Sequence, residues 1–264
     1  MPRLSLAALR ETITRIEAAG ISLHEQAKRV ELGHADADTV LGGGLLPGRL
    51  HEIYVSERDS VSGSAFAAML ALRVSRAGSF VLWVRQDFTA QQCGQLSAQG
   101  LFDLGIDPDR MLLVKTRNAA EALRAASDAL HCKALGAIVL EVWRQPKSLD
   151  LVASRKLTLR AGKSGVTIFL IRVAAAEEMP STAETRWFVR VQRTPDFVEE
   201  WGNPLFEVTL ARNRHGQTGV WAMEWNSDAR VFREIPQNSR ARISFAAAGP
   251  DPAKPETARR SAAG

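Results

Sequence analysis

Short apolar runs alternate with helical stretches along most of the chain, from residue 49 to residue 171. This alternation predicts a mostly parallel sheet that is covered by helices on both faces. The predicted strands are residues 50–55, 80–84, 111–115, 137–142 and 166–171. The predicted helices are residues 64–76, 90–99, 119–131 and 149–161, the last with Leu149, Val152, Ala153, Leu157 and Ala161 on one face.

The pattern changes after residue 171, where alternating polar and apolar runs follow one another without helices between them. Residues 187–192, 205–211 and 219–224 are three such runs, joined by turn residues. They predict an antiparallel meander that extends the sheet. The predicted fold class is therefore α/β with a C-terminal antiparallel β-meander.

The N-terminus carries an amphipathic pattern of its own. Leu6, Leu9, Ile13 and Ile16 follow one another at spacings of three, four and three, which places them on one face of a predicted helix. Either this stripe packs on the chain's own core, or it docks on a partner or neighbouring subunit. Residues 20–38 are polar and interrupted by Gly33, and are interpreted as a connection.

Composition narrows the class of protein. The chain has 264 residues, a net charge of +5 and 45% hydrophobic residues, enough for a packed core. No apolar run is long enough to span a bilayer, and the acidic N-terminal helix is unlike a signal peptide, so we expect a cytoplasmic protein. Cys93 and Cys132 are expected to be thiols, and no metal-ligand cluster is visible.

The last residues differ in composition from the rest. Residues 236–264 hold five basic and two acidic residues among Ala, Gly and Pro, which predicts a basic, disordered tail. The predicted domains are residues 1–38 (helix and connection), 39–235 (core) and 236–264 (tail).

The segment around residue 50 has the order of a phosphate-binding loop. A glycine-rich turn at residues 42–48 leads into the first strand, then into a loop at 56–63 and a helix starting near Ser64. A working loop ends in Gly-Lys-Ser/Thr. Here the corresponding residues are Gly63, Ser64 and Ala65, and no lysine occurs between Lys28 and Lys115. Ser62 or Ser64 is expected to cap the helix; the alternative is that Ser62, Gly63 and Ser64 hold a small anion.

The same segment resembles the lead-in to the ATP-binding loop of the recombinase RecA. The matching residues are Pro47, Gly48, Arg49, Glu52, Ile53, Tyr54 and Glu57. Together with the missing lysine and the run at residues 211–221, they make the chain resemble the ImuA family. Members of this family are RecA-like accessory proteins of the bacterial inducible-mutagenesis cassette. The resemblance covers roughly residues 4–232.

This resemblance implies a RecA-like core and a non-catalytic role in SOS mutagenesis and translesion synthesis, with no cofactor. The implied partners are ImuB, an inactive relative of Y-family polymerases, RecA or a second copy of the chain, and indirectly an error-prone C-family polymerase. The N-terminal stripe and Trp201, which lies in a predicted loop, are the candidate partner-binding residues. Two alternatives stay open: an ATP-dependent, recombinase-like DNA-binding protein, and a cell-division inhibitor similar to SulA.

A RecA-type site also needs acidic residues around its magnesium ion. By resemblance, Glu141 is the candidate for the magnesium position, and Arg172 stands where a residue that senses the γ-phosphate is expected. Arg144 and Lys147 fall in the first DNA-binding loop and are candidates for a weak DNA contact. The second loop, residues 173–185, holds three glutamates and no basic residue, which disfavours binding to a phosphate backbone.

Overall fold

The computed structural model describes residues 28–175, 179–192 and 203–235. In these residues nine β-strands form one sheet. In chain order they are β1 Leu50–Val55, β2 Phe80–Gln86, β3 Met111–Thr116, β4 Leu135–Trp143, β5 Thr167–Val173, β6 Thr185–Val191, β7 Leu205–Asn213, β8 Gly219–Asn226 and β9 Val231–Glu234. Their spatial order is β3-β2-β4-β5-β1-β6-β7-β8-β9. The strands from β3 to β6 pair in parallel, and those from β6 to β9 pair antiparallel.

Six α-helices lie in the described part of the chain. They are α1 Ala35–Val40, α2 Ser60–Val74, α3 Asp87–Cys93, α4 Ala98–Asp103, α5 Ala119–Ala129 and α6 Leu151–Ser164, with a 3-10 turn at Pro108–Arg110. All of them belong to the first of two units into which the chain divides, Met1–Glu234; the second is Ile235–Gly264. Each helix of the described ranges falls short of the length or apolarity that a bilayer span requires.

Two apolar cores lie on opposite faces of the sheet. Helix α2 and the short helix α4 pack over the first core, which continues under the antiparallel strands through aromatic side chains such as Phe66, Trp187 and Phe232. Helices α5 and α6 cover the second core over the parallel strands. Strand β1 lies between β5 and β6, and all six of its residues are buried. This is the predicted α/β fold, and its architecture is that of a RecA-like core.

Several predicted boundaries need correction. Helix α2 begins at Ser60 rather than near Ser64. The helix predicted at residues 90–99 is instead two helices, because Gly94 has a φ of +80° and ends α3. Strand β9 was not predicted. Val152 is 74% exposed and does not share the buried face predicted for it.

Other predictions fall outside the described residues. These are the N-terminal stripe of Leu6, Leu9, Ile13 and Ile16, the loop residue Trp201 and the basic tail. They stay predictions, as do the three domain boundaries.

Buried His51 joins the turn before β1 to strand β6. Its Nδ1 lies 2.7 Å from the Thr185 hydroxyl and its Nε2 lies 3.1 Å from the Leu46 carbonyl oxygen. Burial lowers the pKa of His51 to about 4, so the ring is neutral at pH 7. In the tautomer that satisfies both contacts, Nε2 donates to Leu46 and Nδ1 accepts from Thr185.

This buried ring predicts acid sensitivity. The unfolded chain protonates His51 near pH 6.5 and the folded chain only near pH 4, so acidification favours unfolding between these values. The contribution of His51 to the unfolding free energy should fall by about 2.5 kcal/mol between pH 7 and pH 4.5. This contribution is measured by denaturant titration of the wild type and of His51→Gln at both pH values. The difference between the two proteins should shrink at pH 4.5; a constant difference would contradict the assignment.

Candidate functional site at the carboxyl end of β1

The connection between β1 and α2 is only four residues long. Strand β1 ends at Val55 and helix α2 begins at Ser60, so the predicted loop at residues 56–63 is wrong in its second half. Asp59 occupies the N-cap position, while Ser62 and Ser64 lie inside the helix and do not cap it. The predicted capping role of these two serines is therefore also wrong.

The early start of α2 moves the register of the phosphate-loop motif. In that motif a strand is followed by G-x-x-x-x-G-K-S/T, and the last three residues open the helix. With the helix starting at Ser60, the motif falls on residues 55–62. Val55 and Ser60 then occupy the two glycine positions, Val61 occupies the lysine position, and Ser62 keeps the hydroxyl. The Val61 side chain is 68% exposed, so an apolar group stands where the lysine would extend.

Gly63 allows the close packing of α2 on β1. A Cβ atom on Gly63 would lie 2.4 Å from Cγ1 of Val55, so only glycine allows the helix this close to the strand. The Gly63 amide donates to the Asp59 carbonyl at 2.9 Å and is used by the helix itself. Ser64 is buried beside it. The three residues predicted as a small-anion site thus form the first turns of a packed helix.

Asp59 holds the short loop in place. One of its carboxylate oxygens accepts from the Ser56 hydroxyl at 2.6 Å, and the other accepts from the Val191 amide at 3.1 Å. The loop is thereby tied to the end of β6. A carboxylate at this position supplies the negative charge that the positive end of the α2 dipole favours. An incoming phosphate would meet that negative charge.

Glu141 lies beneath this connection, on the α2 side of the sheet. Its Oε2 is 2.8 Å from Arg85 Nε and accepts from Trp83 Nε1 at 3.1 Å, while its Oε1 accepts from Arg85 Nη2 at 3.2 Å. Glu141 has no exposed surface. Burial raises the pKa of Glu141, against the lowering effect of Arg85 and Trp83. Both carboxylate oxygens are already engaged, and no group of three acidic, His or Cys side chains in the described ranges is arranged for a metal.

Arg172 lies on the other face of the sheet. It pairs in register with Tyr54, and its guanidinium is 2.9 Å from Glu52 Oε1. Arg186 and the Ser181 hydroxyl bond the second oxygen of Glu52 at 3.1 and 2.7 Å. Arg172 stands near the end of β5, as expected, but it is fully buried and its guanidinium is engaged by Glu52. Sequence analysis missed this cluster; its signal was Glu52, a charged residue inside an apolar strand.

Two aromatic side chains, Phe88 and Trp143, lie at the carboxyl ends of β2 and β4. The Phe88 and Trp143 rings meet edge to face at 5.3 Å, and Phe88 is 45% exposed. Arg144 and Lys147, the candidates for a DNA contact, are exposed in the connection between β4 and α6. The Arg144 amide donates to the Val173 carbonyl at 2.7 Å, which ties this connection to β5.

The close packing at Gly63 can be tested by substitution. Gly63→Ala should lower the unfolding free energy by about 1–3 kcal/mol, because the added methyl overlaps Val55. Val55→Ala should relieve part of that cost in the double variant, so the two effects should not add. Gly162→Ala is the matched control: its new methyl meets only the flexible end of Arg49, and a gain of up to about 1 kcal/mol is expected. Equal effects at both glycines would contradict the packing role.

Comparison with known proteins identifies the relatives of this chain. Two strains of Caulobacter vibrioides each have a protein named Protein ImuA that is 30% identical to it over 227 residues. The alignment covers 79% of this chain and 88% of each relative. No family model matches the chain. Identity at this level over most of both proteins shows that the chain belongs to the ImuA family.

Proposed function

We propose that the protein is a non-catalytic adaptor of the imuA/imuB mutagenesis cassette, which supports damage-induced translesion synthesis by binding other proteins. Family membership supports the link with mutagenesis. The main observation in favour of a non-catalytic role is the start of α2. There Val61 stands at the lysine position of the motif, and Gly63 packs directly against Val55.

Charge at the connection supports the same proposal. A triphosphate carries several negative charges, and Glu57 and Asp59 bring two more to the loop while Arg58 offsets one. Two like charges 4 Å apart repel by about 1 kcal/mol in water and by about 4 kcal/mol at the dielectric of a protein surface. Arg85, the nearby buried cation, is already paired with Glu141.

The RecA-like core serves, in this proposal, as a scaffold for surfaces that bind partners. ImuB is the proposed direct partner and the error-prone polymerase an indirect one, with the N-terminal stripe and Trp201 as predicted contact residues. In this proposal the exposed Arg144 and Lys147 make at most a weak contact with DNA. A protein that acts by binding partners needs the folded surface of a RecA-like core but not ATP hydrolysis.

The proposal predicts that purified protein neither binds nor hydrolyses ATP. Titration with a fluorescent ATP analogue and magnesium, and phosphate release with and without single-stranded DNA, should match buffer, while RecA gives the positive signal. Val61→Lys should stay silent as well, because the two glycine positions of the motif still hold Val55 and Ser60. Saturable binding or turnover that Val61→Asp abolishes would overturn the non-catalytic role.

A second prediction concerns mutagenesis in cells. A strain that lacks the gene should lose damage-induced mutations, and the wild-type chain should restore them. Ser62→Ala and Val61→Asp should restore them equally well, since neither the hydroxyl nor position 61 takes part in any reaction. The measurement is mutation frequency after ultraviolet irradiation, with protein levels compared by immunoblot. Failure of Ser62→Ala alone would point to a working nucleotide site.

A further inference from the structure

Helix α6 presents an apolar line to solvent. Val152 is 74% exposed and Leu159 is 57% exposed. The two residues are seven positions apart, about two helical turns, and therefore share one line along the helix. The buried residues of α6 lie on the opposite side; they are Ser154, Leu157 and Ala161. Neither Val152 nor Leu159 can therefore reach the core of its own chain.

The same helix is strongly basic. Leu151–Ser164 contains four basic residues and no acidic one. Arg160 is engaged, because it donates to the Ser127 carbonyl at 3.1 Å. The other three are exposed and have no hydrogen bond or ion pair with any residue of the described ranges; they are Arg155, Lys156 and Lys163. Lys156 and Lys163 follow Val152 by four and eleven positions, which places them on the same line.

We propose that this outer face of α6, made of Val152, Arg155, Lys156, Leu159 and Lys163, is a docking surface for an acidic amphipathic helix of another protein. The inference rests on the adaptor role proposed above and gives it a surface. Isolated exposed apolar residues are ordinary on protein surfaces. An aligned pair that alternates with unpaired cations is complementary to a partner helix with an apolar line flanked by carboxylates.

The apolar residues argue against nucleic acid as the occupant. A phosphate backbone is bound through cations, and contact with phosphates leaves a valine and a leucine with no apolar surface to cover them. A partner helix covers them while its carboxylates face Lys156 and Lys163. The line from Val152 to Lys163 is about 17 Å long, which matches roughly three turns of such a helix.

Photo-crosslinking in damaged cells tests the class of occupant. The full chain carries a benzoylphenylalanine in place of Leu159, and in a control in place of Phe102, which is 64% exposed on α4. The expected product, formed at position 159 only, is a protein segment with acidic residues and apolar residues three or four positions apart. A nucleic-acid product, a segment without carboxylates, equal yields at both positions or no product at position 159 would each overturn the proposal.

Variants of the same face provide the functional test. Val152→Asp/Leu159→Asp and Lys156→Glu/Lys163→Glu should each lower damage-induced mutation frequency by about tenfold or more, as expected when central anchors of an interface are lost. Phe102→Asp and Arg124→Glu, exposed on other helices, should leave it unchanged. The control is the thermal unfolding of the purified variants. An unfolding temperature equal to that of the wild type means that a variant still folds.

The two proposals fail in different ways. If the wild-type chain does not restore mutagenesis in the deletion strain, the adaptor role itself is wrong. If the wild-type chain restores it and both double variants do so equally, only the docking surface is wrong. If Lys156→Glu/Lys163→Glu fails while folded Val152→Asp/Leu159→Asp restores fully, the face acts through charge alone. That result would replace the protein partner with nucleic acid.

Discussion

The contact between Gly63 of α2 and Val55 of β1 sets the geometry of the candidate site. Because a side chain at position 63 would overlap Val55, glycine lets the helix lie directly on the end of the strand. The helix can then begin at Ser60, and only four residues are left for the connection. The connection keeps the four-residue spacing of the phosphate-loop motif, but its Asp59 carboxylate is tied to β6, and Val55, Ser60 and Val61 stand at the positions of the two glycines and the lysine. The close packing at Gly63 and the missing lysine are the two observations that support the proposed non-catalytic role.

Two buried ionic clusters make the sheet around that contact costly to disrupt. Glu141 and Arg85 lie on the α2 face, and Glu52 lies with Arg172 and Arg186 on the other. Removing one member of such a pair leaves an uncompensated buried charge, which typically costs about 3–5 kcal/mol. Replacing a whole pair by apolar residues is often neutral, so these clusters are better understood as constraints on which strands lie side by side. The first cluster joins β2 to β4, and the second joins β1 to both of its neighbours, β5 and β6. These strands are neighbours in the sheet.

Local pattern was enough to predict the sheet, because each parallel strand is a short apolar run bounded by helical segments or turns. It was not enough for the site, since the sequence does not show which side chains pack on each other: Arg85 and Glu141 are 56 residues apart, and Gly63 meets the nearby Val55 only through the packing of α2 on β1. Gly63-Ser64 looks like the end of a phosphate loop until the packing of Gly63 on Val55 is known. Glu141 looks like a metal ligand until Arg85 and Trp83 are seen on its oxygens. Short-range spacing does not report either pairing.

Helix α6 shows how a hydrogen-bonded serine can take a place in the buried face of a helix. The predicted face wrongly combined Val152 with Leu157 and Ala161, because Val152 and Ala161 are nine positions apart and lie on opposite sides of a helix. The buried face consists of Leu157 and Ala161 and, near the start of the helix, Ser154. Its hydroxyl accepts from the Thr182 amide at 2.8 Å and lies 3.1 Å from the Thr182 hydroxyl. A buried serine with these partners is satisfied, whereas Val152 in its place would leave the Thr182 amide unpaired. With Leu157, Ala161 and the bonded Ser154 on the core side, Val152 and Leu159 lie on the opposite side of the helix with Lys156 and Lys163, where they form the apolar line on the surface.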